Sequence, residues 1–190
     1  MTPDPAPAPT RLHLGCGPRH LPGWYHIDAL DYPHVDRIAR VEDLSFLEDG
    51  SVEIIYACHL LEHFGRSQYA DVLREWRRVL APGGVLRLAV PDFAAAARLY
   101  LSGDLPRGIE DVRGLVSGGQ KDEYDFHYMV FDEASLSAAL RDAGFDSVRP
   151  WDWRTTDHAD VDDFSQAYLP HMDKEHGTLV SLNLEGVVAE

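Results

Sequence analysis

At 190 residues, with a net charge of -15 and a pI near 4.9, the chain suits one domain with an ordinary core and repels phosphate backbones, which argues against nucleic acid as a partner. Its two cysteines, Cys16 and Cys58, make no disulfide framework or zinc ribbon and fit a reducing compartment. No apolar run reaches the length of a membrane span, and the opening PDPAPAPT lacks the basic and apolar regions of a signal or transit peptide, so a cytoplasmic protein without membrane contact is expected.

Residues 1–10 read as a disordered Pro/Ala tail and residues 11–190 as a single domain without internal repeats. Leu12 and Leu14 alternate with Arg11 and His13 and run into Gly15-Cys16-Gly17, a short strand ending in a glycine turn. A second apolar run, residues 24–27, ends in Asp28. Pro18 and Pro22 forbid a normal helix in between. Residues 35–41 read as a third strand and residues 52–57 (VEIIYA) as a buried parallel one, opening onto Cys58-His59-Leu60-Leu61-Glu62-His63-Phe64. A helix over residues 67–80 presents Tyr69, Val72, Leu73, Trp76, Val79 and Leu80 on one face, and Ala81-Pro82-Gly83-Gly84 stops it. Its basic cluster, Arg74 to Arg78, reads as a solvated helix face. The strand at 85–90 closes on Pro91-Asp92. Residues 92–119 look helical but are broken at Pro106, and residues 133–143 form an amphipathic helix. Strands over 147–153 and 178–188 complete the set. The polar, acidic connection 156–176 is long enough to suggest a lid or binding loop. The order implies a parallel sheet whose first crossover helix has shrunk to a turn.

A glycine turn followed by an acidic strand tip suits an adenosine-containing cofactor, because a carboxylate there accepts hydrogen bonds from both ribose hydroxyls. A dinucleotide fingerprint would need a third glycine, where the chain has His20, and a helix opening on the pyrophosphate. The pattern resembles instead the glycine motif of S-adenosylmethionine-dependent methyltransferases. LHLGCG, then Ile27-Asp28, ACHLLEHF and VLAPGGVLRLAVPD follow one another as in class I methyltransferases. More narrowly, the short spacing from glycine turn to Asp28, LLEHF and LPHMDKEHG are similar to small methyltransferases of bacterial surface-polysaccharide gene clusters.

The resemblance implies an α/β, Rossmann-like class I methyltransferase fold: a mostly parallel twisted sheet with helices on both faces and a shortened first helix. It implies S-adenosylmethionine as cofactor, with Gly15, Cys16 and Gly17 under the methionine part, Asp28 on the ribose, Asp43 and Leu44 at the adenine and His59 by the methionine tail. Asp92 would face the acceptor. An acceptor hydroxyl loses its proton as it attacks, so Asp92, His127 and His171 are the candidate catalytic groups. The expected partner is a small molecule or glycan precursor, with polysaccharide biosynthesis as setting and a monomer or homodimer as assembly. Trp151, Trp153 and Tyr168 could stack on a sugar or be core.

Two rivals are weighed. A catalytically silent domain that binds S-adenosylmethionine or a partner protein would keep the same glycines and Asp28. His59-Leu60-Leu61-Glu62-His63 also spells H-x-x-E-H, the zinc motif of inverzincin proteases, which must lie within a helix. Here it begins at a strand tip, so no metal is expected. Glu62 reads as a carboxylate satisfying helix N-terminal amides and His63 as a packing residue. The acidic run from Asp157 to Asp163 has the oxygen density of a magnesium or calcium site but not the EF-hand spacing, and reads as solvated loop.

Overall fold

The computed structural model describes residues 9–190. Most of the expected tail, residues 1–8, lies outside the described residues. Its last residue belongs to the fold: the Thr10 carbonyl accepts the N–H groups of Glu53 and Ile54 at 2.8 and 3.1 Å.

The chain runs β1 (Arg11–Leu14), β2 (Tyr25–Asp28), β3 (Arg37–Ile38), β4 (Val52–Cys58), α1 (Tyr69–Val79), β5 (Leu80–Pro91), α2 (Phe93–Ser102), α3 (Ile109–Ser117), α4 (Glu133–Asp142), β6 (Ser147–Pro150), β7 (Tyr168–Leu169), β8 (Thr178–Leu179) and β9 (Ser181–Val187). Seven strands form one sheet in the order β3-β2-β1-β4-β5-β9-β6. β3 to β5 are mutually parallel, and β9 is antiparallel to both β5 and β6. The connection from β1 to β2 contains turns and no helix, as Pro18 and Pro22 dictate.

Strand alternation divides the core in two. Leu12, Leu14, Ile55, Ala57, Leu86, Leu88 and Leu184 point to one face, where Val72, Leu73, Trp76 and Val79 of α1 and Leu136 and Leu140 of α4 cover them. Each such leucine, fully buried, contributes roughly 1.5–3 kcal/mol relative to exposure. The Trp76 indole also donates to the Val41 carbonyl at 2.8 Å, tying α1 to the chain beyond β3. Asp132 caps α4 in a reciprocal capping box with Ser135.

The opposite face carries His13, Tyr56 and Arg87, and irregular chain covers it instead of long helices. Leu21 and Trp24 pack on Tyr56 with Trp151 and Val161 beside them. His158 lies on the Tyr56 ring, centroids 4.4 Å apart. The Tyr56 hydroxyl donates to Asp163 at 2.6 Å, and Asp163 also accepts from the amide and hydroxyl of Ser165. The connection 156–176, expected as a lid or binding loop, is therefore largely the cover of this face. Three of its carboxylates are engaged by distant side chains: Asp157 with Arg11, Asp162 with Lys174, Asp163 with Tyr56.

Several boundaries differ from expectation: β5 begins at Leu80 instead of residue 85, and the strand expected over 178–188 divides into β8, paired with β7, and β9 of the main sheet. The third strand shrinks to Arg37–Ile38 at the sheet edge. β6 stops at Pro150, which has no N–H to extend a ladder, and Trp151 and Trp153 follow it as irregular chain and a short 3-10 turn. The helical stretch 92–119 is two helices, α2 and α3, packed on each other through Ala96, Leu105 and Val112.

Candidate functional site

A cavity of about 450 Å³ opens at the carboxyl ends of β1, β2 and β4, with Gly15, Gly17, Asp28 and His59 in its wall. Parallel strands converge their loops there, so an open α/β sheet binds its ligands at that edge.

The glycine turn is built for close approach. Gly15 has φ +58°, and a Cβ added to it would lie 2.6 Å from the Leu60 side chain. Gly17 has φ +51°, and a Cβ there would meet nothing within 4 Å, so its backbone is bare toward a ligand. Asp28 locks this turn to the tip of β2: one oxygen accepts the Gly17 N–H at 2.8 Å, the other the Leu30 N–H at 2.8 Å. Each oxygen keeps a second lone pair for a ligand hydroxyl. Cys16 is buried and does not line the cavity; burial first, then the Asp28 charge, push its thiol up to about 12. It packs the turn from below, where direct contact was expected.

After β3 the wall is Arg40, Val41 and Glu42. Asp43 and Leu44, expected at the adenine, are displaced. Asp43 is exposed and its carboxylate accepts the Ser45 N–H, while Leu44 is fully buried in the helix-side core with its N–H on Glu75. The short third strand and the Trp76 bond to Val41 move the chain into the core two residues early.

His59 follows β4 with φ +50°, an uncommon conformation for a residue with a side chain. Its amide donates to the Ala89 carbonyl at 2.8 Å, and it lines the cavity. Leu61–His63 is a 3-10 turn, not the helix a zinc protease motif needs. His63 and Phe64 line the cavity, and Tyr124 and Tyr128 reach it from residues 120–130. Among the bonds that hold that segment are those from the Tyr128 and Met129 amides to the Glu62 carbonyl at 2.8 and 3.1 Å.

The catalytic candidates separate. Asp92 caps α2, its Oδ1 accepting the Ala95 N–H at 3.0 Å, and does not line the cavity. His171 is exposed on the β7–β8 connection, also outside the wall. His127 does not line the cavity either but stands behind its wall, its ring 4.9 Å from that of His63 and its Nε2 3.8 Å from Glu62 Oε1. Burial pulls His63 and His127 below the ordinary histidine range, so both are neutral near pH 7. Burial, with His127 and His63 nearby, takes His59 down to about 3.

Glu62 is the residue that sequence reasoning misread. It satisfies no helix amide: it is fully buried, neither carboxylate oxygen has a hydrogen-bond partner, and burial pushes its carboxyl up to about 8. Leu30, Tyr32, Phe64, Gln68 and Tyr124 of the wall were also missed, since loop residues carry no periodicity. Trp151 donates its indole N–H to Leu88 at 2.8 Å within the loop-covered face, which removes it from any sugar platform at the cavity.

Comparison with known proteins agrees with this geometry. Residues 25–88, about a third of the chain, match the methyltransferase domain family, a segment from β2 into β5 that contains Asp28 and the His59–Phe64 wall. A S-adenosylmethionine-dependent methyltransferase from Archaeoglobus fulgidus superposes with a TM-score of 0.57 at 11% identity, covering 93% of this chain and 84% of that one. The fold is that of class I methyltransferases. A second such enzyme, from Methanosarcina mazei, has a TM-score of 0.54 at 16% identity over 97% of this chain and 95% of its own. A Burkholderia thailandensis 1,6-didemethyltoxoflavin N1-methyltransferase, solved with 1,6-didemethyltoxoflavin and S-adenosylhomocysteine bound, has a TM-score of 0.56 at 15% identity, over 94% of this chain and 70% of that one. No curated protein matches the chain. Among the described residues, no helix is long and apolar enough to cross a membrane.

Proposed function

We propose that this protein is a S-adenosylmethionine-dependent methyltransferase acting on a small molecule. The observation that carries the proposal is Asp28: a carboxylate at the tip of β2, bonded to the glycine turn and lining the cavity with free lone pairs. In this reading Asp28 takes the ribose hydroxyls, the bare backbone of Gly15 and Gly17 lies along the methionine part, and Val41 and Leu30 flank the adenine. Bound there, S-adenosylmethionine supplies an electrophilic methyl on a sulfonium. The chain's own contribution is to orient the acceptor in line and to exclude water.

The acceptor we propose is a hydroxylated small molecule such as a sugar or glycan precursor. Support comes from Tyr124 and Tyr128, aromatic side chains at the cavity with exposed faces and hydroxyls. The neutral imidazole of His63 in the cavity wall, with His127 behind it, would receive the hydroxyl proton.

Titration calorimetry with S-adenosylmethionine and S-adenosylhomocysteine tests the cofactor. Asp28→Ala should weaken both by about 100-fold or more, since it removes charge-assisted hydrogen bonds. Circular dichroism checks that the variant is folded. Unchanged affinity in a folded variant refutes the ribose assignment.

A further inference from the structure

The Glu62 environment poses a hydrogen-bonding problem. One carboxylate oxygen of Glu62 and one ring nitrogen each from His63 and His127 lie within 4.8 Å of one another. His63 Nδ1 contacts the Phe126 carbonyl at 3.0 Å and His127 Nδ1 the Leu115 carbonyl at 3.2 Å. A carbonyl only accepts, so each Nδ1 carries the proton and each Nε2 of the neutral ring presents a lone pair.

His59 joins them by the same logic. Asn183 Nδ2 donates to the Ser165 carbonyl, which leaves Asn183 Oδ1 to accept the Ser181 hydroxyl proton at 2.9 Å. Ser181 Oγ therefore accepts from His59 Nε2 at 3.2 Å, and His59 Nδ1, 3.6 Å from Glu62 Oε1, is a lone pair as well. Around the fully buried Glu62 carboxyl, the His59 and His127 lone pairs stand 3.6 and 3.8 Å from Oε1, a His63 ring nitrogen lies within 4.8 Å of the carboxyl and of His127, and neither carboxyl oxygen has a hydrogen-bond partner. Imidazoles fixed through their far N–H on backbone carbonyls or a hydroxyl have the outer-shell support of metal ligands.

We propose that Glu62, His63 and His127, with His59 as a fourth ligand, bind a divalent transition-metal ion of the zinc class in the wall of the cavity. A donor set of imidazoles and one carboxylate favours zinc or its neighbours over magnesium or calcium, which take oxygen ligands. Ligands about 2.0–2.1 Å from a tetrahedral zinc stand roughly 3.3 Å apart, so the 3.6 and 3.8 Å separations from Glu62 close with small side-chain rotations. His59 and His63 also line the cavity, so the ion would lie where an acceptor oxygen can reach it. The site does not rest on the methyltransferase proposal, because no cofactor contact enters it; with the ion bound, these imidazoles are ligands and no longer receive the acceptor proton.

The test is calorimetric titration of chelator-treated full-length protein with zinc chloride, together with the visible spectrum of the cobalt(II)-loaded protein. One zinc per chain is expected, with an intense cobalt band of low coordination number. Glu62→Gln and His127→Ala, each verified folded by circular dichroism, should weaken zinc by about 100-fold or more. His176→Ala, on an exposed histidine, should change nothing. The proposal is overturned if the wild type takes up no zinc, which would mean that a proton held by Glu62 resolves the cluster. It is equally overturned if both variants bind zinc like the wild type, which would place the metal elsewhere. Cofactor affinity measured on the same samples reports on the methyltransferase reading separately.

Discussion

His13 and Leu14 are consecutive in β1, yet they face two different kinds of core. Leu14 joins Ile55, Ala57, Leu86 and Leu88 beneath α1 and α4, an apolar layer with few directional demands. His13 stacks on Tyr56 at 5.3 Å, in a layer with His26, His158, Trp24 and Trp151 beneath irregular chain. The helix-side layer is held by burial and shape. The loop-side layer depends on named hydrogen bonds and on histidines that remain uncharged. A sheet covered by helices on both faces would show unbroken apolar strands. The alternation of His13 with Leu12 and Leu14, and of Arg87 with Leu86 and Leu88, marks the second face as a polar-aromatic one.

The contrast can be broken at three points of decreasing size. Trp76→Ala on the helix side should cost ~3–5 kcal/mol in denaturant unfolding, since it empties a fully buried site and frees the Val41 carbonyl. A loss under 1 kcal/mol would mean that the helix layer collapses around the gap. Tyr56→Phe on the other side keeps the ring and removes only the bond to Asp163, so a cost of ~1–3 kcal/mol is expected. A neutral result would show that Ser165 alone satisfies that carboxylate.

The smallest effect appears in the pH dependence. Burial, then the neighbouring His26 and His158, hold His13 well below the usual 6.5, and burial lowers His26 and His158 too. The unfolded chain takes up these protons near pH 6.5 while the folded one does not. Their contribution is therefore complete above that pH and is lost as pH falls below it. For His13 the limiting slope is about 1.4 kcal/mol per pH unit. His13→Phe keeps the stacking and should flatten the acid limb of a stability-versus-pH curve. Identical limbs in the two proteins would remove histidine from the account of this face. The apolar layer contributes no such slope.

Much of the framework was legible in the chain itself. The glycine turn after Leu14, Asp28 at the next strand tip, the run into Cys58 and the period of α1 each express local backbone geometry, and each lies within a residue or two of its expected place. The absence of a helix between β1 and β2 was legible for the same reason, since Pro18 and Pro22 act on their own neighbours. Asp92 and His171 lie outside the cavity wall, because residue type and position near a strand end say nothing about which way a loop turns.

The amino-acid order by itself determined where strands stop, and therefore where a ligand-binding edge would form, because φ restrictions and side-chain periodicity are properties of a few adjacent residues. Only the tertiary structure decided that Val41 and Glu42, not Asp43 and Leu44, reach the cavity, through the long-range bond from Trp76. Tertiary structure alone also brought His127 beside Glu62, by hanging residues 128 and 129 on the Glu62 carbonyl. Contacts of that kind join segments far apart in sequence, and their geometry comes from the packing of the whole chain.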